Sequence, residues 1–459
     1  MDPRPRAVAA ALLATLLTAA LGGCTGEDAR GPAGAAGLGD PYFPGLGNGG
    51  YDVRHYALTL AYAPDTGRLT GTADITARAT QDLGSFNLDL TGLTVHSATV
   101  DGRPAAVHRS GAELTLRPAE PLADGAGFRA VVRYSGVPAT LTDSEGAREG
   151  WLRTTDGAVA LGQPTGSTAW FPGNHHPSDK ATYTLTVTVP AGLKAVSNGE
   201  PSPPRTSGGR TTYTWRSAEP MAGYLATLAI GRYETRSTRT PDGIPVHTAA
   251  RGRPPLLDRV PGLLEWSEGV FGPYPFSSAG AISDPLVDVQ YALETQTRPF
   301  FDKNTLTEPT LVHELAHQWY GNSVSPESWR DMWLNEGFAT YAEWLHAEDA
   351  DGTPAAGSFA EAFADEENWA FPPAAPPTPD DLSGPPVYGR GAMVLHQVRQ
   401  ALGDDAFFRV LRGWAAEHRH GNASTRDFTA YVEKAAGRDL SGLWDVWLYG
   451  EGRPTDPSA

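Results

Sequence analysis

The sequence predicts an α+β, multidomain protein in which an all-β, sandwich-like region is followed by a mainly α-helical one. Three observations lead there. Apolar residues recur with a period of two between residues 51 and 233, and at helical spacing after residue 234. A chain of 459 residues can also fill two or three separate cores.

The N-terminus reads as a targeting segment. Arg4 and Arg6 precede an apolar run over residues 7–21, too short to span a bilayer comfortably. The run ends Leu21-Gly22-Gly23-Cys24, which resembles a bacterial lipobox. On that reading residues 1–23 are a lipoprotein signal peptide and Cys24 carries the lipid. Residues 24–43 form a flexible tether, and the protein sits outside the cytoplasm, lipid-anchored to the bacterial cell membrane. Cys24 is the only cysteine, so no internal disulfide exists. A formal net charge of −17 argues against nucleic acid as a partner.

In the β region, residues 44–233, Tyr56, Leu58, Leu60 and Tyr62 alternate, and Asp65-Thr66-Gly67 turns the chain into the stretch 69–77. Phe86, Leu88 and Leu90 alternate again, and Asp101-Gly102 reads as a hairpin turn. The clearest strand is Tyr183, Leu185, Val187 and Val189. His175 and His176 fall in a loop. Adjacent residues of a strand face opposite ways, so the pair is not read as a metal site.

The second region, residues 234–450, is punctuated by Phe271-Gly272-Pro273-Tyr274-Pro275-Phe276. After a Pro/Ala loop over 371–386, amphipathic helices are expected at 389–402, 405–418 and 425–436. An aromatic segment at 440–449 and a polar tail at 451–459 close the chain.

The chemistry gathers in His313-Glu314-Leu315-Ala316-His317. Thr307 or Glu308 can cap a helix here, Pro309 suits its first turn, and Leu311, Leu315 and Trp319 line one side. His313 and His317 then lie one turn apart on one face, half of a tetrahedral zinc site. Glu314 lies where it can act on a metal-bound water. A catalytic zinc takes three protein ligands, and Glu336 is the candidate third. It opens a second helical pattern, with Asn335 as its cap and an apolar stripe of Phe338, Ala342 and Leu345. Thr340 and Glu343 follow on the face of Glu336, where they can support the ligands.

His313-Glu314-x-x-His317, eighteen intervening residues, then Glu336 within Asn-Glu-Gly-Phe-Ala, resembles the gluzincin aminopeptidases of the aminopeptidase N family. Two further stretches, Pro44-Gly45-Leu46-Gly47-Asn48-Gly49-Gly50-Tyr51-Asp52-Val53 and Pro220-Met221-Ala222-Gly223-Tyr224-Leu225-Ala226, are similar to that family's N-terminal β domain. The resemblance implies a thermolysin-like catalytic domain holding one Zn2+ on His313, His317 and Glu336, with Glu314 as general base. It extends over residues 51–450. Larger members carry a further helical domain that closes over the site, and it is not seen here.

An aminopeptidase must also hold a free α-ammonium, and a carboxylate beside the zinc is the physical answer. The family places one in a Gly-Ala-Met-Glu-Asn strand; Tyr291-Ala292-Leu293-Glu294-Thr295 keeps Ala292 and Glu294, so the resemblance makes Glu294 the amine anchor. Tyr388, in Tyr388-Gly389-Arg390-Gly391-Ala392, resembles the family's catalytic tyrosine and would stabilise the oxyanion. Gln163 resembles a β-domain glutamine that lines the pocket for the first substrate residue. The implied protein is a zinc metalloaminopeptidase acting on peptides with a free N-terminus. Two rivals remain: a zinc endopeptidase of thermolysin type, which would cut N-blocked peptides, and a non-catalytic peptide-binding lipoprotein, which would bind zinc without turnover. An epoxide hydrolase side activity has no support in the residues.

Overall fold

The computed structural model describes residues 31–142, 146–286 and 289–455, so Cys24 and the signal-peptide pattern lie outside the described residues. The β region is built on strand Tyr51–Ala63, which pairs antiparallel with Arg68–Ala79 and parallel with Lys180–Pro190. Lys180–Pro190 pairs in turn with Arg210–Ala222, and Arg68–Ala79 with Gly127–Gly136, inside a nine-stranded sheet. Strict alternation explains the burial. Ala181, Tyr183, Leu185, Val187 and Val189 point inward while the threonines between them face out.

Some of these strands run to 13 residues, longer than the short strands the turn signals suggest. The hairpin at Asp101-Gly102 is present, with φ of 49° and 77°, the positive pair that a two-residue turn of this hand requires.

A five-stranded sheet (Lys194–Ser197, Leu228–Gly231, Ala158–Leu161, Arg148–Arg153, Thr140–Thr142) joins the same core. A fully buried aromatic layer lies in that core: Tyr62 meets Trp151 edge-on at 5.2 Å, and Trp170 meets Phe171 at 4.5 Å. Such pairs add about 0.5–1.5 kcal/mol each beyond the area they bury.

The second region opens with a sheet before its helices. Its strand order is Glu234–Arg239, Pro245–Ala250, Ala279–Ser283, Phe300–Phe301, Ala292–Leu293. The helical periodicity expected from residue 234 therefore begins later, and the reason is visible in the sequence. Glu234–Arg239 is an edge strand with every residue exposed, so it carries no apolar alternation. Ala279–Ser283 is buried on both faces, so it has none to show either.

The helices are α1 (Val260–Phe271), α2 (Glu308–Ala316), α3 (Trp333–Asp351), α4 (Ala355–Ala364), α5 (Gly391–Leu402), α6 (Asp404–Glu417), α7 (Thr425–Ala436) and α8 (Ser441–Trp447). Of the polar tail, residues 451–455 are described, and Arg453 pairs with Glu366.

Residues 31–43, expected within a flexible tether, are docked. Gly34 N–H donates to Ser85 O at 2.8 Å and the Tyr42 hydroxyl to Pro376 O at 2.7 Å. Asp40 is the anchor, its side chain fully enclosed. It accepts from His176 Nε2 of the β region, from Ser328 Oγ and Trp329 N just ahead of α3, and from Tyr42 N and Phe43 N. The charged residue in a Gly/Pro-rich stretch is thus a three-way joint. His175 bonds instead to Phe171 O, so the adjacent histidines have separate structural partners.

Burial alone would raise the Asp40 pKa, but the bonds from His176, Tyr42, Ser328 and Trp329 outweigh it and hold it below the ordinary value of 3.8. A depressed carboxylate contributes stability above its unfolded pKa and loses it as pH falls through the folded one. Asp40→Asn is therefore expected to destabilise the protein at pH 7 by about 1–3 kcal/mol, the cost of unmatched buried donors. Denaturant melts should show the gap to the native chain narrowing as the pH is taken below 3.8; an equal gap at all pH values would contradict the assignment.

Candidate active site

Helix α2 starts as its residues dictate: Thr307 accepts from Thr310 N at 3.2 Å and Pro309 occupies the first turn. Leu311, Val312, Leu315 and Ala316 are buried against the core, which turns His313 and His317 the same way, their ring centroids 4.8 Å apart. Helix α3 begins differently from expectation. Ser328 caps a short 3₁₀ turn, Trp329–Asp331, that feeds directly into α3, so Asn335 lies inside the first helical turn and is no cap.

Glu336 Oε2 stands 3.2 Å from His313 Nε2 and 3.3 Å from His317 Nε2. The outer ring nitrogens are committed elsewhere. His313 Nδ1 is 2.7 Å from Glu343 Oε1, and His317 Nδ1 is 3.1 Å from Tyr320 O. With each Nδ1–H donating outward, a neutral ring offers its Nε2 lone pair on the side of the carboxylate, where a cation would sit. Glu343 thus holds a ligand candidate in its tautomer; Thr340, on the same face, makes no hydrogen bond to the cluster.

A buried carboxylate between two imidazoles draws positive charge, as protons or as a metal ion. Burial disfavours charged imidazoles, yet the neighbouring carboxylates outweigh it, Glu336 with Glu343 at His313 and Glu336 with Glu294 at His317, and raise both histidine pKa values, while burial of Glu336 is outweighed by the two imidazoles, which lower its own. A dication on two imidazoles and one carboxylate answers that demand, and this donor set with the geometry above fits Zn2+.

The other candidates surround this cluster. Glu294, Glu314 and His317 present ligand atoms within 4.8 Å of one another. Burial, and then the neighbouring carboxylates, raise the pKa values of Glu294 and Glu314. Gln163, with its amide oriented to donate, reaches both oxygens of Glu294, at 2.6 and 3.0 Å. Glu149 fixes the Gln163 loop by accepting from Thr165 N, Thr165 Oγ1 and Gly166 N. Tyr388 stacks on His313 at 5.9 Å, and burial together with Glu336, Glu294 and Glu314 keeps its phenol protonated, hence a donor.

Two glycines went unread in the sequence. A Cβ on Gly337 would lie 2.8 Å from the Gly391 backbone, and one on Gly391 would lie 3.0 Å from Gly337 Cα. Helices α3 and α5 therefore meet backbone to backbone, one residue beyond Glu336 and three beyond Tyr388. A π-helical turn, Pro386–Arg390, precedes that contact and carries Tyr388. The only signal was a glycine inside each of two helical patterns.

Two histidines from one helix and a glutamate from the next form a gluzincin-type donor set. The Peptidase family M1 domain matches residues 290–447 and the Peptidase M1 N-terminal domain residues 53–225. The M1 zinc metallopeptidase from Deinococcus radiodurans superposes with a TM-score of 0.86 at 30% identity, covering 92% of this chain and 98% of that one. A mutant of the Deinococcus radiodurans protein bound to a Tyr-Ser-Ala substrate superposes at 0.85, again at 30% identity, with 92% of this chain and 100% of that one covered. The chain belongs to peptidase family M1. It is also 27% identical to aminopeptidase N of Streptomyces lividans over 315 residues, 61% of this chain but 36% of the longer relative.

Removing the Glu343 carboxylate should loosen metal without disturbing the helices. Glu343→Gln is expected to weaken Zn2+ affinity about 10–100-fold, measured by competition with a chromogenic chelator. Unchanged affinity would mean that Glu343 does not orient His313.

Proposed function

We propose that the protein is a zinc-dependent aminopeptidase that releases N-terminal residues from short peptides. The observation that carries this reading is the placement of Glu294, tied to Gln163, beside Glu314 and the His313–His317–Glu336 cluster. An aminopeptidase needs an anionic end-stop one residue from the reacting centre; an endopeptidase needs an open groove there. The Tyr-Ser-Ala substrate bound to a mutant of the similar Deinococcus protein supports a short peptide as the substrate.

His313, His317 and Glu336 would hold the zinc, which when bound supplies Lewis acidity to water and to the scissile carbonyl. Glu314, with no hydrogen-bond partner for its carboxylate among the described residues, takes the proton from the attacking water and returns it to the leaving amine. Glu294 and Gln163 pair with the substrate's α-ammonium and fix the register from the chain end. The Tyr388 phenol donates to the oxygen on which charge develops.

The same reading keeps the enzyme outside the cytoplasm. Cys24 at the end of the Leu21-Gly22-Gly23-Cys24 segment supports a lipid anchor on the bacterial membrane.

The test is a single peptide, free or N-acetylated, incubated with the zinc-loaded protein and followed by mass spectrometry. Stepwise loss of single residues from the free peptide alone is expected. Internal cuts in both forms would make the protein an endopeptidase, and binding without cleavage a peptide-binding lipoprotein. Glu314→Gln should lose at least about 10²-fold in kcat while retaining its zinc, since it removes acid–base catalysis and no ligand.

A further inference from the structure

The Glu294 carboxylate has no strong local reason to be where it is. It follows a two-residue strand, Ala292–Leu293, at the edge of its sheet, so little of its backbone is held by a ladder. The chain then turns sharply, with Thr297 at φ 62°, a left-handed conformation that is costly for a β-branched residue. Its own bonds, Thr295 N to Leu293 O at 2.8 Å and Arg298 N to Thr295 O at 3.0 Å, close the turn, and contacts from elsewhere seat it.

Two side chains from the turn that follows α2 do so. Asn322 Nδ2 donates to Glu294 O at 2.6 Å, and Gln318 Nε2 donates to the same oxygen at 3.4 Å. Gln318 Nε2 also reaches Glu314 O at 3.3 Å, and its Oε1 accepts from Thr297 N at 2.8 Å. Both side chains are completely buried. One carboxamide therefore touches the backbone of the amine anchor, the backbone of the general base and the strained turn. The neighbouring peptides are fastened from the β region. Asn198 Nδ2 donates to Gln296 O at 2.7 Å, and Lys180 Nζ to Asn322 O at 2.9 Å and Ser323 O at 2.8 Å.

We infer that Gln318 and Asn322 are positioning residues that set the distance between the amine anchor and the reacting centre, and so where along the peptide the enzyme cuts. The inference rests on the aminopeptidase reading. Gln318 lies one residue beyond His317 and Asn322 five beyond it, so the motif that carries the metal also carries the ruler. Loss of either donor leaves the buried Glu294 carbonyl with one of its two bonds unmade and lets the turn relax. A misplacement of about 1 Å at such a contact can cost up to 10²-fold.

The test uses the full zinc-loaded chain with Asn322→Ala and, separately, Gln318→Met. Steady-state kinetics on Tyr-Ser-Ala are read alongside zinc content and melting temperature. The expected result is a KM raised about tenfold or more, a smaller change in kcat, and one zinc retained with a near-native melt. An unchanged KM in both variants would overturn the inference. So would zinc loss or unfolding in both, because the two residues would then be structural only. If Asn322→Ala fails to fold, Gln318→Met decides, since it keeps the volume and loses only the donor and acceptor. Failure of the native chain to trim Tyr-Ser-Ala would count against the aminopeptidase reading itself and is seen before any variant is compared.

Discussion

One carboxylate oxygen of Glu336 stands 3.2 Å and 3.3 Å from the Nε2 atoms of His313 and His317 in a buried site. In a medium that screens poorly, such a group of acceptors is tenable only with positive charge among them. Much of the surrounding structure serves that constraint. Glu343 and the Tyr320 carbonyl hold the outer ring nitrogens, and the glycine contact between α3 and α5 lets Glu336 and Tyr388 share one small space. The histidines are brought together by one helix, but the carboxylate must come from another, so the packing of α2 against α3 is as necessary as either motif.

The β region acts at this centre from a distance in sequence. Gln163 touches Glu294, Lys180 grips the turn after α2, and His176 shares Asp40 with the residues that lead into α3. A chain that folded only its helical part would keep the His-x-x-x-His pair while losing Gln163, Asn198 and Lys180, which fasten the anchor and its neighbouring turns from the β region. The N-terminal segment belongs to the same logic. Its single buried carboxylate ties three parts of the chain together, which is why residues 31–43 are seated on the protein.

The parts of the site legible in the sequence are those in which chemistry fixes spacing. His313 and His317 must be four apart to share a helical face, and a third ligand must follow on a second helix; the structure brings His313, His317 and Glu336 together. Glu294, Tyr388 and Gln163 were reached through resemblance, since a lone glutamate, tyrosine or glutamine has no spacing rule of its own. The unread parts have one physical cause. Gly337 and Gly391 matter through what is absent from them, and Gln318 and Asn322 matter through bonds to main-chain carbonyls that any residue would offer. The same holds for the fold. The alternating strand Lys180–Pro190 announced itself, whereas the exposed edge strand Glu234–Arg239 and the wholly buried Ala279–Ser283 carry no period to detect. Asn335 reads as a cap in the sequence but lies inside the helix, because the preceding 3₁₀ turn, capped by Ser328, runs without a break into α3.

Zinc-edge X-ray absorption on the metal-loaded full chain shows whether His313, His317 and Glu336 form one metal centre. The account predicts one tightly held zinc with two imidazole nitrogens at about 2.0–2.1 Å and carboxylate oxygen at about 2.0–2.2 Å, and loss of the carboxylate signal in Glu336→Ala. A spectrum with fewer than two imidazoles, or one that Glu336→Ala leaves unchanged, would contradict it.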